Sequence, residues 1–168
     1  MCIRDREKLF YVGQALEAIR GTYFRQAQFA EFELAIHRAA ENGEQLSGDR
    51  LTQMYGEILR KYYGVDQGIT AIDETDYAEW AYIPHFYYDF YVYQYATSIT
   101  AAQMFAHGLE NNPEKWRDRY LNVLSQGGAQ SGYQLLKKAG VDLATPTPYD
   151  NLNKNMNHLI DEAEEILD

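Results

Sequence analysis

The chain has 168 residues and a formal net charge of −10, from 25 acidic against 15 basic side chains. A surface this acidic repels phosphate backbones and argues against nucleic acid as a partner, and no apolar run approaches the roughly 20 residues that cross a bilayer. Apolar residues at 46% and aromatics at 14% supply a core, so wholesale disorder is not expected.

The opening residues Met1-Cys2-Ile3-Arg4-Asp5-Arg6 are polar with no apolar stretch behind them, so they do not form a secretory signal, and the simplest expectation is a cytoplasmic protein. They also carry no cap or turn signal, and residues 1–6 read as a non-native or truncated start, with an ordinary frayed terminus as the alternative. Residues 7–168 read as the folded body. Cys2 is the lone cysteine, which leaves no disulfide framework and no thiolate metal site.

Hydrophobic spacing near 3.6 recurs along the chain, and convincing period-two alternation does not appear, which predicts an all-α fold. Leu9, Val12, Leu16 and Ile19 define a first helix ending near Gly21. Phe29, Phe32, Ile36 and Ala40 define a second, stopped at Gly43. Ser47 or Asp49 caps a third, whose stripe is Leu51, Met54, Tyr55, Ile58, Leu59 and Tyr62 before Gly64. Residues 64–84 read as a connection. A long aromatic, weakly charged helix is expected from about Tyr87 to Gly108, buried on most sides. Asn112-Pro113 opens the next, with Trp116, Tyr120 and Leu124 facing inward. Gly127-Gly128 breaks it, and a short helix carries Leu135 and Leu136 to Gly140. Thr145-Pro146-Thr147-Pro148 is expected as a stiff loop. Asp150 then caps a last helix with Leu152, Met156, Leu159, Ala163 and Ile166 on one face.

Chemistry-bearing residues are few. None of His37, His85, His107 and His158 pairs with another at i, i+4, and no His-Glu-x-x-His occurs. The ligand-like pairs Glu33 with His37 and His158 with Glu162 lie one helical turn apart. Each alone leaves a metal ion two ligands short, and the ordinary reading is a solvated helix-face contact. No serine sits in a nucleophile elbow. Gly127-Gly128 lacks the lysine and preceding strand of a phosphate loop.

The segment from Pro84 to Ser98 is different. Phe86, Tyr87, Tyr88, Phe90, Tyr91, Tyr93 and Tyr95 crowd behind His85. At 100° per residue, Tyr88, Tyr91 and Tyr95 would share one side of a helix, with His85 one turn before Tyr88. Two readings stand at this point. One is a buried helix whose hydroxyls find structural partners. The other is a donor array that binds a peptide carbonyl and the oxyanion formed when water attacks it.

Ordered blocks carry a resemblance. They are Phe24-Arg25-Gln26-Ala27-Gln28-Phe29-Ala30-Glu31-Phe32-Glu33 with His37; Ile83-Pro84-His85-Phe86-Tyr87-Tyr88 through Phe90-Tyr91-Val92-Tyr93-Gln94-Tyr95-Ala96-Thr97; Leu124-Ser125-Gln126-Gly127-Gly128; and Leu135 through Asp142. In these the chain resembles the oligoendopeptidase F branch of the thimet-oligopeptidase-like (M3) zinc metallopeptidases. The resemblance implies that residues 7–168 are the C-terminal, multi-helix portion of a zincin-like catalytic domain acting on short peptides. It implies a zinc cofactor in the full-length enzyme, held by His-Glu-x-x-His and a later glutamate that would all precede residue 1. None of those ligands is in this chain, so the chain alone is expected to bind no metal and to be inactive. His85, Tyr88 and Tyr95 match the catalytic donors, and Tyr91 joins them as a substrate-binding residue. Two departures are the shorter histidine-to-tyrosine distance and Gly132, where the family pattern has proline. A stand-alone helical interaction or scaffold protein is the alternative from another class. Oligomeric state is not legible.

Overall fold

The computed structural model describes residues 3–168; Met1 and Cys2 lie outside the described residues. Seven α-helices account for most of those residues, with no strand among them: α1 (Ile3–Ile19), α2 (Arg25–Glu41), α3 (Gly48–Tyr63), α4 (Tyr93–Asn111), α5 (Pro113–Ser125), α6 (Gly132–Lys138) and α7 (Thr147–Leu167). The helical segment from Ile3 already includes Arg4 to Arg6, which the sequence left outside the folded body. A π-helical turn, Arg20–Phe24, follows α1 where Gly21 was expected to end it. The chain divides into two compact units, Phe24–Ala96 and the residues up to Tyr23 with Thr97–Asp168.

In the unit Phe24–Ala96, α2 and α3 bury Phe29, Phe32, Ala39, Met54, Tyr55 and Leu59 together with Val92. Ala39, not the expected Ala40, is the inward residue near the end of α2. The α3 stripe lies where the 3.6 period put it. Its ends are set by local chemistry: the Ser47 hydroxyl accepts the Arg50 N–H at 3.2 Å, and Gly64 adopts φ +63 to close the last turn. The connection after it is not structureless. A 3-10 helix, Glu74–Tyr82, packs on α3, where the Trp80 indole N–H donates to Thr52 Oγ1 at 3.1 Å. Glu79 fastens the same helix by pairing with Arg25 and accepting the Tyr55 hydroxyl, which also accepts from the Gln28 amide. Close approach is possible because α3 carries Gly56: a Cβ there would stand 2.8 Å from the Tyr77 ring.

In the other unit, α1 packs on α7, burying Val12 and Ile19, and Lys8 reaches Glu162 at 3.6 Å. A second core gathers Ala101 and Phe105 of α4 with Ala139 and Val141, and Trp116, Val123 and Leu136 pack against it. Asn112 caps α5 by accepting the Lys115 N–H, with Pro113 at the first helical position. Trp116 and Tyr120 face inward as expected, their rings meeting Phe105 edge-on at 5.7 and 5.4 Å, but Leu124 is exposed and Val123 takes the inward place. The last helix begins earlier than expected. Thr147 and Pro148 are its first turn, where proline's missing N–H costs nothing, so Asp150 lies inside the helix rather than capping it. The remaining stripe of α7 holds, with Leu152 fully buried.

Candidate functional site

The aromatic segment does not form one helix. Ile83 is extended, as a residue before proline prefers, and Pro84–Tyr87 makes a single 3-10 turn closed by the Tyr88 N–H donating to the His85 carbonyl at 3.1 Å. Phe86 is the anchor of that turn. Its ring meets Phe29 at 5.7 Å and Phe32 at 5.3 Å, both edge-on, so the core fixes the backbone beside His85. Asp89 and Phe90 then take φ values of +44 and +58, in the left-handed region that no α-helix can pass through. Val92 is fully buried, and α4 starts only at Tyr93. The helix is also not buried on most sides. It hides the face of Ala96, Thr100, Ala101, Phe105 and Gly108, with exposed residues between them.

Although the helical route to it is absent, the cluster forms. The His85 ring lies 6.4 Å from Tyr88, 6.0 Å from Tyr91 and 5.6 Å from Tyr95, stacked on Tyr91 and edge-on to the other two. Tyr91 in turn meets Tyr88 at 6.2 Å and Tyr95 at 5.6 Å, both edge-on. His85 Nε2 and the Tyr95 hydroxyl are 3.3 Å apart. Tyr88 is 60% exposed and Tyr91 41%, so these rings do not fill a core. The hydrogen bond with Tyr91, aided by some desolvation, raises the Tyr95 phenol above its ordinary range. At neutral pH it is therefore a protonated donor. The arrangement offers up to three phenol O–H groups and an imidazole nitrogen to a carbonyl oxygen.

Glu33 is the residue the sequence reading misplaced. It is 1% exposed rather than a solvated partner of His37, and its carboxylate accepts the Phe90 N–H at 3.0 Å. His37 instead donates from Nδ1 to the Glu33 carbonyl at 2.7 Å, while its ring packs on Phe90 at 4.4 Å. The signal was present: Phe29, Phe32, Glu33 and Ile36 share the i, i+3, i+4, i+7 spacing of one buried face. Asp89 gave the other hint, since aspartate visits the left-handed region more readily than most residues.

For a metal, the described residues hold no group of three or more histidine, cysteine, aspartate or glutamate side chains placed to ligate one ion. His158 Nε2 and Glu162 Oε1 stand 3.7 Å apart on α7, where Lys8 Nζ shares the same carboxylate oxygen. A cleft of about 720 Å³ lies between α4 and α7, bridged by the Asn155 amide donating to Gln103 Oε1, but none of the four aromatic-site residues lines it. No helix among the described residues is long and apolar enough to cross a membrane.

Comparison with known proteins adds the context. The chain is 42% identical over 163 residues to oligopeptidase PepF of Bacillus subtilis (strain 168), covering 97% of this chain and 24% of that protein. It is 38% identical over 164 residues to the plasmid oligoendopeptidase F of Lactococcus lactis subsp. cremoris, covering 98% of this chain and 27% of that one. The crystal structure of oligoendopeptidase-F from Enterococcus faecium matches with a TM-score of 0.90 at 34% identity, over 97% of this chain and 31% of that one. The chain thus spans about a quarter of the length of the curated relatives it matches. The model of peptidase family M3 covers residues 4–154, and with these relatives it shows that the chain belongs to peptidase family M3.

Proposed function

We propose that this chain is the C-terminal part of the catalytic domain of a zinc-dependent oligoendopeptidase, and that His85, Tyr88, Tyr91 and Tyr95 bind the short peptide substrate and its tetrahedral intermediate. The observation that carries this reading is the His85–Tyr95 pair at 3.3 Å inside a ring of half-exposed tyrosines. A partly buried phenol with its proton kept on by a neighbour is suited to donate to an oxygen that gains charge. It is poorly suited to act as a base.

Zinc, when bound in such enzymes, polarises the scissile carbonyl and the attacking water. The ligands for it belong to the part of the protein outside this segment. The contribution assigned to these residues is different. Tyr95 and His85 hydrogen-bond the carbonyl oxygen as it becomes an oxyanion, which accelerates the reaction only to the extent that those bonds strengthen in the transition state. Tyr88 joins them as a donor, and Tyr91 holds the peptide beside them. The net charge of −10 fits a small peptide ligand better than a polyanion, and a cytoplasmic setting goes with it.

The test starts with the reading frame. An in-frame His-Glu-x-x-His upstream of residue 1, and zinc-dependent cleavage of short peptides by the protein that carries it, are the expected results. A genuine stop and start at residue 1, with no such motif upstream, leaves the stand-alone helical protein and overturns the assignment. Purified alone, the 168-residue chain is expected to cleave nothing even with zinc added. Zinc-dependent cleavage by it contradicts the division of labour proposed.

A further inference from the structure

We infer that Glu33 is a positioning residue for the tyrosine array, acting through the backbone of Phe90; this rests on the proposed role of that array. The left-handed pair Asp89-Phe90 lies between Tyr88 and Tyr91, two of the three tyrosines around His85. Neither Asp89 nor Phe90 is glycine, and a phenylalanine gains nothing locally from that conformation. Something distant must therefore hold it, and the structure shows what does. A carboxylate 57 residues earlier in the chain, buried on the inward face of α2, accepts the Phe90 N–H at 3.0 Å.

Burying a carboxylate is unfavourable unless hydrogen bonds compensate, so a glutamate in an apolar stripe is a poor choice for packing alone. Glutamine or leucine would fill the same volume. His37, one turn further along α2, completes the clamp: its Nδ1–H fixes the imidazole on the Glu33 carbonyl, and the ring covers Phe90 at 4.4 Å. Phe90 is thus held by its N–H on one side chain and by its ring on another. With Phe86 pinned in the core before it and Val92 buried after it, the short path from Tyr88 to Tyr91 has its turn direction set at one point. Tyr95 differs, because it is carried by α4 and does not depend on that turn.

The test uses the uninterrupted peptidase carrying this segment. Glu33→Leu removes the acceptor, and Glu33→Gln keeps one. For Glu33→Leu the expected result is a fall in kcat/KM on the order of 10- to 100-fold, with KM raised because Tyr91 no longer holds the peptide in place, and with zinc content intact. Glu33→Gln recovers most of that loss. Combining Glu33→Leu with Tyr88→Phe and Tyr91→Phe costs less than the product of the separate losses, because all act through one array. In the 168-residue chain itself, Glu33→Leu speeds hydrogen exchange at the Phe90 amide. Unchanged kcat/KM in Glu33→Leu overturns the inference. So does a loss that merely tracks the unfolded fraction in a thermal melt, or equal losses in the leucine and glutamine variants. Tyr95→Phe is measured alongside: if it is impaired while Glu33→Leu is not, the positioning role falls alone, and if Tyr95→Phe is unimpaired, the array's catalytic role falls and this inference with it.

Discussion

His85 and Tyr95 stand ten residues apart in the chain, on different elements, yet their Nε2 and hydroxyl are 3.3 Å from each other. A 3-10 turn presents one and the first turn of α4 presents the other, and neither depends on the helix that the sequence suggested between them. In the full-length enzyme, Tyr95→Phe or His85→Ala is expected to lower kcat/KM by about 100-fold or more, the usual loss for one oxyanion donor. Zinc content, measured on the same samples, is expected to stay at the wild-type level. A near-wild-type rate returns these residues to a structural role.

The hydrogen bond that raises Tyr95 makes a statement about pH as well. A phenol raised above its ordinary value keeps its proton past the pH at which free tyrosine ionises, about pH 10. Between neutrality and that point, a pH–rate profile is expected to show no decline that disappears in Tyr95→Phe.

Tyr55 offers a sharper titration. Burial first, and then the hydrogen bond to Glu79, push its hydroxyl well above the ordinary tyrosine value of 10.0. The sign follows from linkage: a group raised in the folded state contributes stability that is complete below the unfolded value and is lost as pH climbs above it. Alkaline unfolding is therefore expected to begin above about pH 10 and to be less steep in Tyr55→Phe. At neutral pH the same substitution costs about 1 kcal/mol, because Glu79 and Gln28 each lose a partner. Chemical denaturation at the two pH values checks both statements.

Gly56→Ala sets two effects against each other. Alanine gains up to about 1 kcal/mol of helix propensity over glycine. The new Cβ, however, would stand 2.8 Å from the Tyr77 ring, closer than real contacts allow. Overpacking of that kind costs about 1–3 kcal/mol and wins. A lower midpoint of thermal unfolding is expected. The same conflict, against the Trp116 ring, makes Gly108→Ala destabilising in the other unit.

Ser47→Ala is the milder case. It removes the acceptor for the Arg50 N–H at the start of α3 and is expected to cost about 1 kcal/mol. A loss below the noise of denaturant titration removes Ser47 from the cap.

What was legible in the sequence was whatever local chemistry decides. Ser47, Gly64, Asn112 and Pro113 mark their helix ends because capping needs only near neighbours. The seven helices and the stripe of α3 follow from period alone. The aromatic segment failed as a helix for the opposite reason. Its backbone is redirected by Glu33, whose carboxylate comes from another helix, and no pattern within residues 84–98 records that contact. The four site residues still meet, since Phe86 and Val92 are apolar anchors that any packing would bury. The inward side of α5 was displaced by one residue, from Leu124 to Val123, a slip that a helix with exposed flanks tolerates.

The late start of α4 has an evolutionary reading. In a continuous helix, adding or deleting one residue between His85 and Tyr95 would swing every ring beyond it by about 100°. Here Tyr95 belongs to the helix, whereas Tyr88 and Tyr91 ride on irregular backbone ahead of it. Insertions or deletions in that stretch can be absorbed by the loop without rotating Tyr95. The tyrosine on the helix thus keeps its aim through such changes, whereas Tyr88 stays tied to His85 by the 3-10 turn they share.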